Sequence, residues 1–284
     1  MLKQRIITAI VLLAILLPAL FWPSPAPFVA VVLVLIAAGA WEWGRLNGLG
    51  QGGSVVAAVS CLLLCGYSWY AGWIDRPAPL LWSVAGAVWV LAGAWLLRIG
   101  VAGWPHIPRA LRLVLGILAL WLAWLAAAQA RVIGINFLLS VLVLVWVADI
   151  FAYFAGRAFG LKFTSNKLAP SISPGKSWEG VWGGMAGVLV LAIGWTLADS
   201  AQQAAVPSLY TRIASSGWWL LVIAAVFMAS MSVVGDLVES LIKRSAGVKD
   251  SSKLLPGHGG VLDRVDALLP TLPLAMMLMT LTSR

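Results

Sequence analysis

Charge is scarce in this chain. Of 284 residues, 19 are Lys or Arg and 10 are Asp or Glu, while 62% are hydrophobic and the mean hydropathy is +0.97. That excludes a soluble domain, which needs far more polar surface to stay dissolved. Cysteine is nearly missing as well. Cys61 and Cys65 are the two present, four apart in an apolar run. Such a pair makes no four-ligand metal site and reads as packing. The first apolar run ends in FWPSPAP with no convincing small-x-small cleavage site, so it reads as an uncleaved span rather than a signal peptide. No repeat points to an inverted-repeat transporter. No aromatic-basic interleaving marks a nucleic-acid module, so nucleic acid is not an expected partner.

What is present is a succession of apolar runs near 20 residues, long enough to cross a hydrocarbon core of roughly 30 Å as helices. The expected fold class is an all-α polytopic membrane protein with about nine transmembrane helices. The spans lie near residues 6–22, 28–43, 54–73, 79–97, 111–130, 135–155, 178–198, 217–238 and 265–282. Eight is the alternative, because the second run is short and the last contains Pro270 and Pro273. With nine spans, 15 of the 19 basic residues fall on one side, and Arg76, Arg131, Arg212 and Arg284 on the other. The positive-inside bias then places the N-terminus in the cytoplasm and the C-terminus outside. The net charge of +9 follows from that bias together with attraction to anionic lipid headgroups.

The chain divides into unequal halves. Residues 1–130 read as generic, accessory spans, with tryptophans suited to interfacial belts. Glu42, between Trp41 and Trp43, is expected to pair with Arg45, and His106 to sit in a solvated loop. Residues 131–284 are the expected catalytic region, with cytoplasmic loops at 156–178 and 239–264. Asp149 lies late in a span, where an ionisable group needs a partner or a wet cavity. The segment KFTSNKLAPSISPGKSWEG (162–180) has the composition of a loop that orders around a ligand.

The remaining charge is concentrated. SLIKRSAGVKDSSKLLPGHGGVLDRVDALLP, residues 240–270, contains Lys243, Arg244, Lys249, Asp250, Lys253, Asp263, Arg264 and Asp266. Asp236 and Glu239 are i, i+3 on one helix face, with Lys243 one turn on. Asp263 and Asp266 repeat the spacing on the next helix. If those helices pack together, the carboxylates repel unless protons or cations intervene. Oxygen-only ligands select hard cations, Mg²⁺ above all in phosphate chemistry. Salt bridges to Lys243, Arg244 and Arg264 are the rival reading. The bases could neutralise a polyphosphate, and the glycines of PGHGG (256–260) allow close backbone approach to one. Acids for Mg²⁺ beside bases for phosphate suggest phosphoryl or nucleotidyl transfer on a membrane-bound substrate.

The pattern Ser-x-x-Lys-Arg, Lys-Asp, His-Gly-Gly-x-x-Asp-Arg-x-Asp in this stretch closely resembles the signature of the phosphatidate cytidylyltransferases (CDP-diacylglycerol synthases). DIFAYFAGRAFG, SPGKSWEG and VGDLVESLIKR are similar to the same family, so the resemblance covers about residues 146–270. It implies the reaction of CTP with phosphatidate to give CDP-diacylglycerol and pyrophosphate, with Mg²⁺ and a second, monovalent cation, K⁺. It implies a homodimer among membrane lipids, in the cell inner membrane, with its cavity open to the cytoplasm. By that resemblance Asp236 and Asp263 are the metal ligands, with Asp266 close by. Lys249, Arg264 and Lys243 are assigned to phosphates, and Asp250 and Asp266 to orienting those bases or holding the second cation. His258 is a phosphate contact or loop-former. Lys176, Ser177, Arg244, Gly259 and Gly260 line the substrate pocket. Gly175 and Ser177 depart from the family's SPGKSWEG-like segment, where a second basic residue and Thr are expected. An ion or anion transporter and a CTP-dependent lipid-alcohol kinase are the alternatives. Pyrophosphate release, CDP release or neither separates the three.

Overall fold

The structure is a computed structural model and describes residues 2–282. Its helices are α1 (Leu2–Phe21), α2 (Ala26–Leu46), α3 (Gln51–Tyr70), α4 (Pro79–Gly103), α5 (Arg109–Ile133) and α6 (Ile135–Phe159). A two-stranded hairpin follows, β1 (Lys167–Ala169) and β2 (Ser173–Ser177), then α7 (Trp178–Ala201), α8 (Leu209–Ser216), α9 (Trp218–Ser245), α10 (Leu262–Val265) and α11 (Leu268–Thr282). Among the described residues nine helical segments are long and apolar enough to cross a membrane, the last formed by α10 and α11 together. Nine spans, not eight, is the architecture.

Side-chain bonds show that the bundle has two distinct ends. At one end Arg5 of α1 reaches Gly257, Arg109 donates to the Gly48 carbonyl, Ser245 to Val101, and Lys176 pairs with Asp236. At the other, Gln129 holds the carbonyls of Trp73 and Arg76, Arg131 those of Leu20 and Trp22, and Asn136 that of Val206. The basic segments therefore gather at the first end, as alternation of nine spans requires. Arg284, counted with the opposite side, lies outside the described residues.

The tryptophans depart from the expected belts. Trp82 and Trp124 are fully buried, and Trp43, Trp104 and Trp121 nearly so. Each buried indole needs an acceptor. Trp82 donates to Gln129 Oε1 at 3.0 Å, Trp121 to Ser68 Oγ at 2.9 Å and Trp124 to the Val29 carbonyl at 3.2 Å. Trp22, Trp95, Trp146, Trp178, Trp182, Trp218 and Trp219 stay exposed. Cys61 and Cys65 are buried and free, as packing residues.

Three local features position the charged end. First, α9 continues two turns beyond the expected end near residue 238 and carries Glu239, Lys243 and Arg244 as helix residues. It stops where Gly247 adopts φ 71°. The Gly247 N–H then meets Arg244 O at 3.0 Å and the Val248 N–H meets Lys243 O at 3.0 Å, a Schellman closure. Second, the last crossing breaks at Asp266–Ala267. Pro270, four residues on, has no N–H for the Asp266 carbonyl and its ring crowds that position. Third, Gly235 on α9 lets this break come close. A Cβ there would lie 2.6 Å from the Asp266 carbonyl oxygen and 2.8 Å from Pro270 Cγ. The hairpin and the short amphipathic α8 have no counterpart in the expected spans.

The two ends provide a direct test of orientation. Lys253→Cys at the charged end should react with a membrane-impermeant maleimide from one side of sealed vesicles only, and Gln203→Cys only from the other. Both are exposed positions, and the native cysteines are buried. Labelling of both from one side would overturn the nine-span alternation.

Candidate active site

At the charged end α9 packs against α7, α4 and α11, and the acids of α9 face those around α10. Asp236 gives one carboxylate oxygen to Lys176 Nζ of β2 at 2.6 Å and the other to Ser240 Oγ at 3.2 Å. Lys243 Nζ lies 2.5 Å from Glu239 Oε2 and 2.6 Å from Asp263 Oδ1, so one ammonium bridges the two helices. The other oxygen of Asp263 accepts from Ser251 N (2.9 Å), Ser251 Oγ (2.9 Å) and Gly260 N (2.7 Å). Asp266 lies within electrostatic reach of Asp236, Asp149 and Lys243.

The rival reading of the acids is thus partly realised. Lys243, named for that role, pairs with Glu239 and Asp263, and Lys176 takes Asp236. Arg244 and Arg264 do not pair with these acids. Arg244 reaches the carbonyls of Ile172 and Val248 at 3.4 Å, tying the hairpin to the end of α9. Arg264 places Nε and Nη2 on the His258 carbonyl at 3.0 and 2.6 Å. Ser177 Oγ accepts from Gly180 N at 3.2 Å and caps α7. Lys249 and Asp250 stand exposed on the loop between α9 and α10.

The PGHGG segment is a tight turn. Leu255 N donates to Gly259 O and His258 N to Leu255 O, both at 2.8 Å. Gly257 and Gly259 hold φ of 78° and 87°, the left-handed region that favours glycine. A side chain at Gly259 would also meet Asp263 Oδ2, and one at Gly260 would overlap Ser251 Oγ and the Glu42 carboxylate. The Nδ1 of His258 is buried without a partner.

Two acids take roles that the sequence does not reveal. Glu179, at the start of α7, accepts from Phe163 N (3.1 Å), Thr164 N (2.8 Å) and Thr164 Oγ1 (2.8 Å), pinning the segment before the hairpin. Glu42 does not pair with Arg45, whose guanidinium instead lies 4.8 Å from the Trp41 ring centroid. Its carboxylate is fully buried and receives Ser252 Oγ (2.5 Å), Val261 N (2.9 Å), Ser251 Oγ (3.0 Å) and Leu262 N (2.8 Å). The correction has a physical cause. Two hydroxyls and two orphan amides at the start of α10 satisfy the acid, while Arg45 stacks outside. An acid near a span end between two aromatics is the only sequence signal that could have raised it.

Among the described residues no three His, Cys, Asp or Glu side chains form a metal cluster. What stands at this end is an array of carboxylates, each touched by a lysine or by loop amides, beneath a glycine-rich turn. Such an array suits phosphate chemistry completed by substrate.

Comparison with known proteins gives the class. The family model described as "Cytidylyltransferase family" matches residues 3–282. The chain belongs to the cytidylyltransferase family and is a nucleotidyltransferase built into a membrane. It is 40% identical to the phosphatidate cytidylyltransferase of Pseudomonas aeruginosa over 282 residues, covering 96% of this chain and 95% of that one. It is 36% identical to the enzyme of that name from Haemophilus influenzae over 293 residues, covering 96% of each chain. Against that of Brucella abortus it is 37% identical over 274 residues, covering 94% of this chain and 89% of the relative.

The Lys243 bridge predicts a measurable penalty. Lys243→Met removes the one ammonium that buried Glu239 and Asp263 share, which costs on the order of 3 kcal/mol. The thermal midpoint of the detergent-solubilised protein should fall by several degrees, and Lys243→Arg should recover part of it. An unchanged midpoint in Lys243→Met would show that the bridge contributes nothing to stability.

Proposed function

We propose that the protein is a phosphatidate cytidylyltransferase of the cell inner membrane, with the charged end of the bundle facing the cytoplasm. The observation that carries this reading is that one loop folds its glycine-rich turn, bases and acids onto the acids of α9 at the membrane boundary. There a lipid phosphate and a soluble nucleotide can both arrive. The names of the relatives support the substrates, and the gathering of basic segments at this end supports the orientation. A homodimer formed through the N-terminal helices is part of the proposal.

In the proposed reaction a phosphate oxygen of phosphatidate forms a bond to the α-phosphorus of CTP. The bond from that phosphorus to the oxygen bridging to the β-phosphate breaks, and pyrophosphate leaves with the electron pair. A phosphomonoester has a second pKa of about 6 and is largely dianionic near neutral pH, so no strong general base is needed. The difficulty is bringing a dianion to a triphosphate, and the chain's own residues address it by charge and position. Lys176, Lys243, Lys249, Arg244 and Arg264 supply positive charge. Gly259 and Gly260 give the backbone room to approach phosphate, and His258 shapes that turn. Ser177 caps α7 and so sets the direction in which Lys176 enters. Asp250, next to Lys249 in the chain, would orient it.

Mg²⁺ fits this donor set. Asp236 and Asp263 each already hold a cationic ammonium at 2.6 Å. Asp266 and Asp149 add negative charge near Asp236. Mg²⁺ takes only one or two protein carboxylates and fills its shell with water and substrate phosphate oxygens, so the lack of a three-acid cluster is no obstacle. Asp236 and Asp263 would hold it, and Asp266 would serve the monovalent cation, K⁺. When bound, Mg²⁺ would supply charge neutralisation on the triphosphate.

Purified protein given CTP, phosphatidate and Mg²⁺ should release pyrophosphate one for one with CDP-diacylglycerol, and chelation of Mg²⁺ should stop it. Asp236→Asn and Asp266→Asn should each lower turnover by about 10²-fold or more. Release of CDP instead of pyrophosphate would identify transfer to a hydroxyl and overturn the proposal.

A further inference from the structure

Glu42 is a costly group to bury. A carboxylate removed from water is strongly disfavoured unless it is fully hydrogen-bonded, and Glu42 is 0% exposed. Its four donors are two hydroxyls and two backbone N–H groups, none of them charged. A neutral side chain of similar size would fill the same space, so packing does not explain an anion here. The placement of the donors does. Ser251 and Ser252 are one foot of the loop that carries PGHGG, and Val261 and Leu262 are the other. One carboxylate holds both feet, with each oxygen taking one donor from either side.

The hold is transmitted to the proposed cation ligands. Ser251 Oγ lies 3.0 Å from Glu42 Oε2 and 2.9 Å from Asp263 Oδ2. A hydroxyl has one proton, so Ser251 Oγ donates to one of these carboxylates at a time and links the two. Leu262, whose N–H is held by Glu42, immediately precedes Asp263. The loop apex is tied from the same side of the molecule. Arg5 Nε donates to Gly257 O at 2.8 Å and Thr8 Oγ1 to Pro256 O at 2.9 Å. α2 approaches closely here, and a Cβ at Gly39 would lie 3.3 Å from Leu262 Cδ2.

We infer that Glu42 is a positioning residue of the nucleotidyl-transfer site, which fixes both feet of the 251–262 loop and thereby sets Asp263 opposite Lys243. The inference rests on the proposed reaction for its kinetic consequence, but the clamp itself can be observed without turnover. Asp199 is a built-in control. It is also a buried acid, 7% exposed, and accepts from Asn136, Ser208 N and Thr211, but at the opposite end of the bundle.

The test compares Glu42→Gln, Ser252→Ala, Ser252→Thr and Asp199→Asn in the full chain purified in detergent. Hydrogen exchange should speed up by about tenfold or more at the Val261 and Leu262 amides in Glu42→Gln, and not in Asp199→Asn. Turnover per folded protein should fall by about 10²-fold in Glu42→Gln. The Mg²⁺ concentration for half-maximal rate should rise in that variant, with KM for phosphatidate unchanged. Ser252→Ala should move each reading the same way by less, and Ser252→Thr should restore it. Asp199→Asn should lower only the thermal midpoint. If Glu42→Gln does not fold, the Ser252 pair decides. Protected amides together with an unchanged Mg²⁺ requirement in the folded variants would overturn the inference and leave Glu42 a structural acid. Wild-type protein that shows protected loop amides but no pyrophosphate release would refute the proposed reaction and leave the clamp standing.

Discussion

A carboxylate cut off from water must be surrounded by donors, and this constraint organises the charged end of the molecule. Glu42, Asp263 and Glu179 each answer it by gathering loop amides and hydroxyls that would otherwise be solvated and mobile. The loop between α9 and α10 has little regular structure of its own, so its shape comes from these acids. The glycines at 257, 259 and 260 then follow of necessity. Two adopt a backbone conformation open chiefly to glycine, and the third sits where a side chain would strike Ser251 and the Glu42 carboxylate.

The membrane architecture supplies the frame. Long apolar helices bury tryptophans whose N–H groups find internal acceptors, which fixes the neighbouring helices in rotation as well as in contact. Gly235 then allows α9 to approach the break in the last crossing. Pro270 makes that break by denying the Asp266 carbonyl a partner. Two helix-level features, one small residue and one missing N–H, thus bring the two acids of α9 close to the two at the start of the last crossing.

Much of this was legible in the chain. Apolar runs of the right length mark all nine crossings, and the i, i+3 spacing of Asp236 with Glu239 matches their place on α9, whereas Asp266 falls at the break just past α10 rather than on one helix with Asp263. The lysine partners were only half visible. Lys243 shares a helix face with Glu239, but Lys176 meets Asp236 from a hairpin whose strands of three and five residues leave no clear period in a polar loop. Glu42 was assigned to its neighbour Arg45 because its true donors lie 209 to 220 residues away. Nothing local distinguishes an acid that serves a distant loop from one that serves the next turn. The buried tryptophans were misread for the same reason, since Gln129, Ser68 and the Val29 carbonyl lie on other helices.

The length of α9 sets a depth. Twenty-eight residues rise about 42 Å at about 1.5 Å each, some 12 Å more than a hydrocarbon core of roughly 30 Å. Counted from Trp218, the apolar thickness is used up near Asp236, and Lys243 stands above it. On the proposed reaction, a phospholipid's phosphate meets these groups while its acyl chains remain in the leaflet. Drawing those chains into water would cost about 0.8 kcal/mol for every methylene, a barrier that a soluble enzyme must find a way around. Here it does not arise, because the enzyme takes its measure from the thickness of the bilayer.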